Sequence, residues 1–154
     1  MLRTLGMEGY SSTLERYELI VRDAVAAHDG HAFEMVGDSF ISVFGRARDA
    51  LFAAVEARDA FDAADWVDGW RPGVRIGIHT GEAERWRSGY VGFGLIRALR
   101  VCDAAEGGQV LVSETTKSVL DGLDLSGLEL YPLAERALED FDRPVMLHEA
   151  AQRA

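Results

Sequence analysis

The segment Glu34-Met35-Val36-Gly37-Asp38-Ser39-Phe40-Ile41-Ser42-Val43-Phe44 decides the fold, because two short strand-like runs flank a Gly-Asp pair. The runs Ala32 to Val36 and Phe40 to Phe44 contain the β-branched and aromatic residues that are typical of strands. Glycine as the first turn residue favours a type II′ turn, whose twist suits a β-hairpin. We therefore predict a hairpin with the Asp38 carboxylate at its tip.

The segments on either side of the hairpin predict alternating strands and helices. Leu2 to Met7 predicts a short strand, and Ser12-Thr13-Leu14-Glu15 is a capping box that predicts a helix ending at Gly30. After the hairpin, the alanine-rich stretch Arg46 to Ala64 predicts a helix and Val74 to His79 predicts a strand. The resulting order, β-α-β-β-α-β, is the ferredoxin-like unit, in which two helices cover one face of a mainly antiparallel sheet.

The second half of the sequence extends this core. It predicts a helix from Phe93 to Ala105, a turn at Gly107-Gly108, a strand from Gln109 to Val112, a short helix from Ser113, and strands near Leu128 to Tyr131 and Val145 to Glu149. No repeat, linker or low-complexity segment interrupts the 154 residues. We therefore predict one α+β domain that spans residues 1–154.

Charge and composition exclude several classes of partner. The formal net charge is -10 and the isoelectric point is near 4.8, which argues against nucleic acid and anionic membranes as partners. Cys102 is the only cysteine, so no intramolecular disulfide can form and a reducing compartment is expected. No apolar run approaches the roughly 18 residues of a membrane span. These features predict a cytoplasmic protein.

Five short motifs together resemble the catalytic core of class III nucleotide cyclases. They are Gly6 to Glu15, Gly37 to Phe40, Arg75 to Glu82, Gly89 to Arg100 and Gly107 to Val110. Each motif is weak alone, and their order and spacing over nearly the whole chain carry the resemblance. It implies a ferredoxin-like core extended as in these cyclases, although a fold does not by itself define an activity.

In active cyclases of this class, two aspartates hold two metal ions that bind the triphosphate and activate the ribose 3′-hydroxyl for attack on the α-phosphorus. The resemblance assigns the second aspartate to Asp38 and the first to Gly6, which has no side chain. Mg²⁺ or Mn²⁺ is the implied cofactor if the domain is active. The alternative for Asp38 is a common turn residue without a ligand.

The resemblance also implies an Asn and an Arg, four residues apart on a helix of the partner protomer, that orient the ribose and stabilise charge on the phosphate. Arg100 occupies the Arg position, whereas Ile96 occupies the Asn position and the chain contains no Asn at all. For Arg100 the alternative to a phosphate contact is a salt bridge.

Base selection in these cyclases depends on two positions, which map here to Glu34 and Gly89. A carboxylate at Glu34 can accept hydrogen bonds from the N1–H and 2-amino group of guanine, so it favours guanine over adenine. Gly89 contributes no side chain, and Gly37 is assigned to the substrate site as part of the hairpin. The alternative for Glu34 is an ordinary polar residue of a strand.

These substitutions lead to one main hypothesis and two alternatives. The main hypothesis is a cyclase-like domain in cyclic-nucleotide signalling that is catalytically silent or very weak. Such a domain would bind a purine nucleoside triphosphate, or it would form a head-to-tail homodimer or a heterodimer with an intact cyclase. The first alternative is an active guanylate or adenylate cyclase that releases pyrophosphate, and the second is a purely structural oligomerisation domain.

Overall fold

The computed structural model of the protein describes residues 2–36, 39–66, 73–87 and 89–153, with the side chains of residues 2–5 and 33–36 outside the description. The helices and strands in these ranges are interspersed along the chain. In order they are α1 (Leu2–Ala27), β1 (His31–Val36), β2 (Ser39–Val43), α2 (Ala47–Ala63), β3 (Ile76–Ile78), β4 (Glu84–Trp86), β5 (Gly89–Val91), α3 (Phe93–Asp103), β6 (Val110–Ser113), α4 (Glu114–Leu120), β7 (Leu128–Arg136) and β8 (Val145–Gln152).

The strands of the described ranges form one four-stranded sheet and two hairpins. The sheet has the strand order β3-β6-β8-β7, in which β3 is parallel to β6 and the other neighbours are antiparallel. β1 pairs with β2 as predicted, from His31 opposite Val43 to Val36 opposite Ser39. β4 pairs with β5 in a second hairpin. The predicted α+β class with mainly antiparallel strands is therefore confirmed.

Apolar residues cover the four-stranded sheet on both faces. On one face, Leu51 and Val55 of α2 pack with Ile78 and Val112 of the sheet. On the other face, Val101 of α3 packs with residues of β6 and β8. Burial of the α2 stripe follows from the 3.6-residue periodicity of its apolar residues, which puts them on one side of the helix. The sheet thus forms the middle layer of the molecule.

Aromatic residues join α1 to α2 at one end of the core. The Tyr17 ring of α1 lies 4.9 Å from the Phe61 ring of α2, and the Trp66 ring stacks on Phe61 at 5.5 Å. Trp66 is buried, and its indole N–H donates a 2.9 Å hydrogen bond to the Phe61 carbonyl. Because a buried indole N–H needs an acceptor, this bond lets the tryptophan fill the core without an unpaired donor.

The structure corrects the prediction for the first residues. Leu2 to Met7 belongs to α1 rather than to a strand, and Ser12 lies inside the helix rather than at its N-cap. Leu, Arg, Met and Glu are good helix formers, and Thr4 is the only β-branched residue before Thr13, so local propensity favours a helix. Gly6 kinks this helix with φ 72° and ψ -179°. Within the described residues the ferredoxin-like unit therefore lacks its first strand.

Other boundaries follow the sequence more closely. α2 begins and ends within one residue of the prediction, whereas β7 continues to Arg136 through an irregularity between Pro132 and Glu135. The β4–β5 hairpin was not predicted. Among the helices of the described ranges, none combines the length and apolar composition that a membrane span requires.

Candidate functional site

Helix α3 carries the two residues assigned to the ribose and phosphate positions, and glycines determine where it lies. A Cβ atom built on Gly77 of β3 would lie 2.2 Å from the Cys102 backbone nitrogen, so only glycine lets α3 approach the strand this closely. At the start of α3, a Cβ on Gly94 would lie 2.9 Å from the Glu82 carbonyl oxygen. The position of α3 is therefore set by two backbone contacts that exclude larger residues.

Arg100 is held by two carboxylates of the loop after β7. Its Nε donates a 2.8 Å hydrogen bond to Asp140 Oδ2, and its Nη2 lies 3.4 Å from Glu139 Oε2. The hydrogen bond to Asp140 raises the pKa of Arg100 above its usual value; partial burial opposes this and Glu139 adds to it. Arg97 supports the loop, because its Nε donates to the Asp140 carbonyl at 2.9 Å. The guanidinium thus faces acidic side chains of its own chain.

Ile96 belongs to an exposed apolar surface that we call the pairing surface, formed by Trp86, Val91, Phe93 and Ile96. Their exposed fractions are 60%, 45%, 70% and 39%. Trp86 and Val91 are diagonal neighbours on one face of the β4–β5 hairpin, because Val91 pairs with Glu84, two residues before Trp86. Phe93 and Ile96 are three residues apart on α3 and share a helix face. An apolar side chain therefore stands where the resemblance expects an amide.

The other assigned residues lie on different elements. Gly6 is an exposed residue of α1, and Gly89 is the first residue of β5, opposite Trp86. The backbone of Glu34 is in β1 and pairs with Ile41, while its side chain lies outside the described residues. Gly37 and Asp38 also lie outside the described residues. The structure therefore brings together Ile96 and Arg100 and leaves the geometry of the assigned metal position undefined.

A divalent metal finds no adequate set of ligands among the described residues. No group of three or more His, Cys, Asp or Glu side chains is placed to hold an ion in residues 2–36, 39–66, 73–87 and 89–153. Gly6 offers no side chain, and Glu8 is exposed on the helix α1. Mg²⁺ needs carboxylate or other oxygen ligands, and the assigned ligand Asp38 lies outside the described residues, so the described side chains alone do not supply such a set.

Sequence reasoning missed a partly buried polar cluster at the carboxyl end of β3. His79 Nδ1 lies 2.8 Å from Ser113 Oγ, and Thr80 Oγ1 lies 2.9 Å from Thr116 Oγ1. The Ser113 hydroxyl also caps α4 by accepting from the Thr116 N–H. Burial lowers the pKa of His79, and the nearby positive charge of Arg97 lowers it further. A neutral imidazole fixed in this way ties β3 to α4.

Comparison with solved structures identifies the fold. An adenylate cyclase of Trypanosoma brucei matches with a TM-score of 0.80 and 22% identity, over 91% of this chain and 79% of that chain. The guanylate cyclase domain of a Catenaria anguillulae protein matches at 0.79 with 16% identity, over 97% and 87%. An adenylate/guanylate cyclase/hydrolase of Silicibacter pomeroyi matches at 0.75 with 23% identity, over 94% and 88%. The chain therefore has the fold of the class III nucleotide cyclase catalytic domain, as the sequence motifs predicted.

Sequence comparison finds relatives without an assigned function. An uncharacterised protein of Mycobacterium tuberculosis strain H37Rv is 30% identical over 139 residues, which are 89% of this chain and 46% of that protein. A second uncharacterised protein of the same strain is 37% identical over 88 residues, 56% of this chain and 32% of that protein. The chain thus spans about half the length, or less, of the curated relatives it matches. No protein-family model matches it.

Proposed function

We propose that this cyclase-like domain acts in cyclic-nucleotide signalling as a pairing module with little or no catalytic activity. The proposal rests on the surroundings of two residues of α3. Arg100 is bound by Glu139 and Asp140, and Ile96 presents an apolar side chain four residues earlier. A triphosphate would have to compete with two carboxylates for the guanidinium and would find no amide donor at position 96.

The missing catalytic groups account for a large part of the rate acceleration that an enzyme normally provides. Removing one preorganised charge-stabilising donor typically costs about 10²–10³ in rate. The Asn position and the first metal-ligand position, Ile96 and Gly6, both lack the groups that the reaction needs. The rate losses from missing groups are not additive, so their combined size has no fixed value. Together they still remove much of the rate acceleration that an enzyme normally provides.

The pairing surface supports the second half of the proposal. Monomeric soluble proteins rarely leave contiguous large apolar side chains exposed, and interface cores are enriched in Trp and Phe. Trp86 and Phe93 are the largest members of this surface, and Arg100 continues the same stripe of α3. The cyclase domain of a Blastocladiella emersonii protein is described as dimeric and that of Trypanosoma brucei as monomeric. The partner we propose is a second copy or an intact cyclase domain.

Sedimentation velocity tests the pairing. We expect the protein to form a concentration-dependent dimer, and Phe93→Asp to weaken it at least tenfold because a charge would be buried in the contact. Leu19→Asp is the matched control, since Leu19 is a similarly exposed apolar residue on α1, outside the pairing surface. A monomer at every concentration, or equal weakening by both variants, would refute pairing through this surface.

A cyclase assay tests the catalytic half separately. Purified protein is incubated with Mn²⁺ or Mg²⁺ and with ATP or GTP, and 3′,5′-cyclic product is quantified beside an Asp38→Ala control. We expect no product above that control. Clear product that disappears in Asp38→Ala would establish an active cyclase. Titration calorimetry with non-hydrolysable ATP and GTP analogues then distinguishes a nucleotide-binding module, which gives saturable heat, from a purely structural one.

A further inference from the structure

The loop between β7 and β8 contains a tight turn that is anchored in the core at both ends. Leu138 and Phe141 are half-buried and pack against the core cluster that includes Val101 of α3. The Phe141 N–H donates a 3.3 Å hydrogen bond to the Leu138 carbonyl and closes the turn. Glu139 and Asp140 are the two residues between these anchors. Because both ends are fixed, the turn holds the two acidic side chains against α3.

Asp140 occupies the third position of this turn, where its backbone is strained. Its φ is 67°, in the left-handed region, whereas Glu139 is not among the described residues with positive φ. A positive φ at the third position alone is the pattern of a type II turn, which normally has glycine there. Asp tolerates the left-handed region better than most residues, but less well than glycine. The structure therefore places a carboxylate where the backbone favours a residue without a side chain.

Two arginines of α3 bind Asp140, one through its backbone and one through its side chain. Arg97 Nε donates a 2.9 Å hydrogen bond to the Asp140 carbonyl, and Arg100 Nε donates a 2.8 Å hydrogen bond to Asp140 Oδ2. The Arg97 guanidinium also lies 5.2 Å from the centre of the Phe141 ring. Glu139 Oε2 lies 3.4 Å from Arg100 Nη2, and its side chain is 77% exposed. One firmly held and one loosely held carboxylate thus occupy the Arg100 guanidinium.

These carboxylates affect anions more than they affect the fold. Exposed ion pairs contribute little to stability, because water screens the charges and the side chains lose freedom. The strained backbone of Asp140 works against even that small gain. An approaching anion, by contrast, meets two negative charges within 3.4 Å of the guanidinium that would bind it. Their main consequence is therefore to keep anions away from Arg100.

Only Glu139 and Asp140 need to move to uncover Arg100. The apolar anchors on either side can stay in the core. Departure of the Asp140 carboxylate also allows its backbone to leave the left-handed region, which lowers the cost of opening. A polyphosphate supplies several negative charges in exchange for the two carboxylates, and its oxygens match the donors of the guanidinium fork. One particular class of ligand can therefore replace the ion pair.

We propose that Glu139 and Asp140 form an autoinhibitory latch, which closes Arg100 to ligands until a polyphosphate displaces both carboxylates. The ligand class is a chain of phosphates, either inorganic or attached to a nucleoside. Arg100 is then a masked phosphate contact. The latch rests on the proposed function in one respect, the assignment of Arg100 to a phosphate, and it adds how that contact is regulated.

Titration calorimetry of the 154-residue protein with inorganic tripolyphosphate tests the latch. The double variant Glu139→Gln with Asp140→Gly removes both charges and keeps the turn, because glycine suits a φ of 67°. We expect this opened variant to bind tripolyphosphate about tenfold more tightly than the wild type at low salt. Arg100→Met should remove the gain in the opened variant. In the wild type it should change binding by less than about twofold, since the latch already occupies the guanidinium.

A charge-matched variant separates the latch from general repulsion. Glu135→Gln with Asp142→Asn removes two exposed carboxylates on either side of the latch, and neither contacts Arg100 in the described part of the chain. This variant should change tripolyphosphate binding by less than about threefold. Asp140→Asn opens the latch in a second way, because Asn carries no charge and tolerates the left-handed region. It should also tighten tripolyphosphate binding.

Four results would overturn the latch. They are equal affinities of the wild type and the opened variant, equal gains in the opened and charge-matched variants, a gain that persists after Arg100→Met, and no saturable binding by the opened variant. A non-hydrolysable GTP analogue, titrated in parallel, should gain to a similar degree, and a gain for the nucleotide alone would overturn recognition through the phosphates. These titrations involve neither product formation nor pairing, so failure of the latch is distinguishable from failure of the proposed function.

Discussion

Gly77→Ala should destabilise the protein by forcing α3 away from the sheet. The added Cβ would lie 2.2 Å from the backbone nitrogen, 2.6 Å from the Cα of Cys102 and 2.8 Å from the Val101 carbonyl carbon. Ordinary contacts begin near 3.4 Å, so α3 must move by about 1 Å, and the neighbouring atoms are backbone that cannot rotate away. Overpacking of this kind costs about 1–3 kcal/mol, and we expect the upper part of that range.

Urea denaturation followed by circular dichroism measures this effect. An effect on the unfolded state partly offsets this cost. Replacing Gly by Ala restricts the unfolded chain and thereby stabilises the folded protein by about 0.4–1 kcal/mol. The net loss should be about 2 kcal/mol, which lowers the urea midpoint by roughly 1 M if the slope is about 2 kcal/mol/M. Gly45→Ala is the control, because a Cβ there meets no atom within 4 Å. Equal midpoints for both variants would show that α3 does not lie against β3 as described.

Three further changes test the core and the polar cluster. Ser113→Ala removes the cap of α4 and the hydrogen-bond partner of His79, so the free energy of unfolding measured by urea titration should fall by about 2 kcal/mol. An unchanged free energy of unfolding would contradict the polar cluster around Ser113. Phe61→Ala should cost about 3–5 kcal/mol and shift Trp66 emission to longer wavelength; an unchanged spectrum would contradict their stacking. Burial lowers the pKa values of His79 and His148 in the folded protein, so the unfolded chain binds more protons below about pH 6.5. The protein should be most stable above that pH and should lose stability as the pH falls below it. In thermal melts, the melting temperature of His148→Gln should fall less steeply with decreasing pH.

The fold was predictable where local sequence and tertiary packing agree. The β1–β2 hairpin and the helix α2 match the prediction because their periodicity, turn residues and alanine content all favour the observed structure. Leu2 to Met7 was predicted as a strand, since its apolar residues are compatible with one and a capping box follows at Ser12. Its residues are helix formers, and the described chain continues as one kinked helix.

The candidate site was less predictable because its decisive contacts cross long sequence separations. Spacing correctly placed Ile96 and Arg100 four residues apart on one helix. Nothing in the local sequence indicates that Asp140, forty positions later, reaches Arg100. The β4–β5 hairpin was also missed, since its strands are only three residues long and Glu and Arg interrupt their apolar pattern. Long-range ion pairs and short isolated hairpins carry almost no periodic signal.

Helix α3 has an exposed face and an inner face that point in opposite directions. Residues Phe93, Ile96 and Arg100 follow the three- and four-residue spacing of one face. About half a turn away lie residues that line the cavity beside β3, namely Leu95, Ala98, Leu99 and Cys102. Substitution of one exposed residue on the first face should therefore change assembly while Cys102 keeps its reactivity. A variant that altered both assembly and the reactivity of Cys102 would show that α3 had shifted against β3, where Gly77 makes its close backbone contact with Cys102.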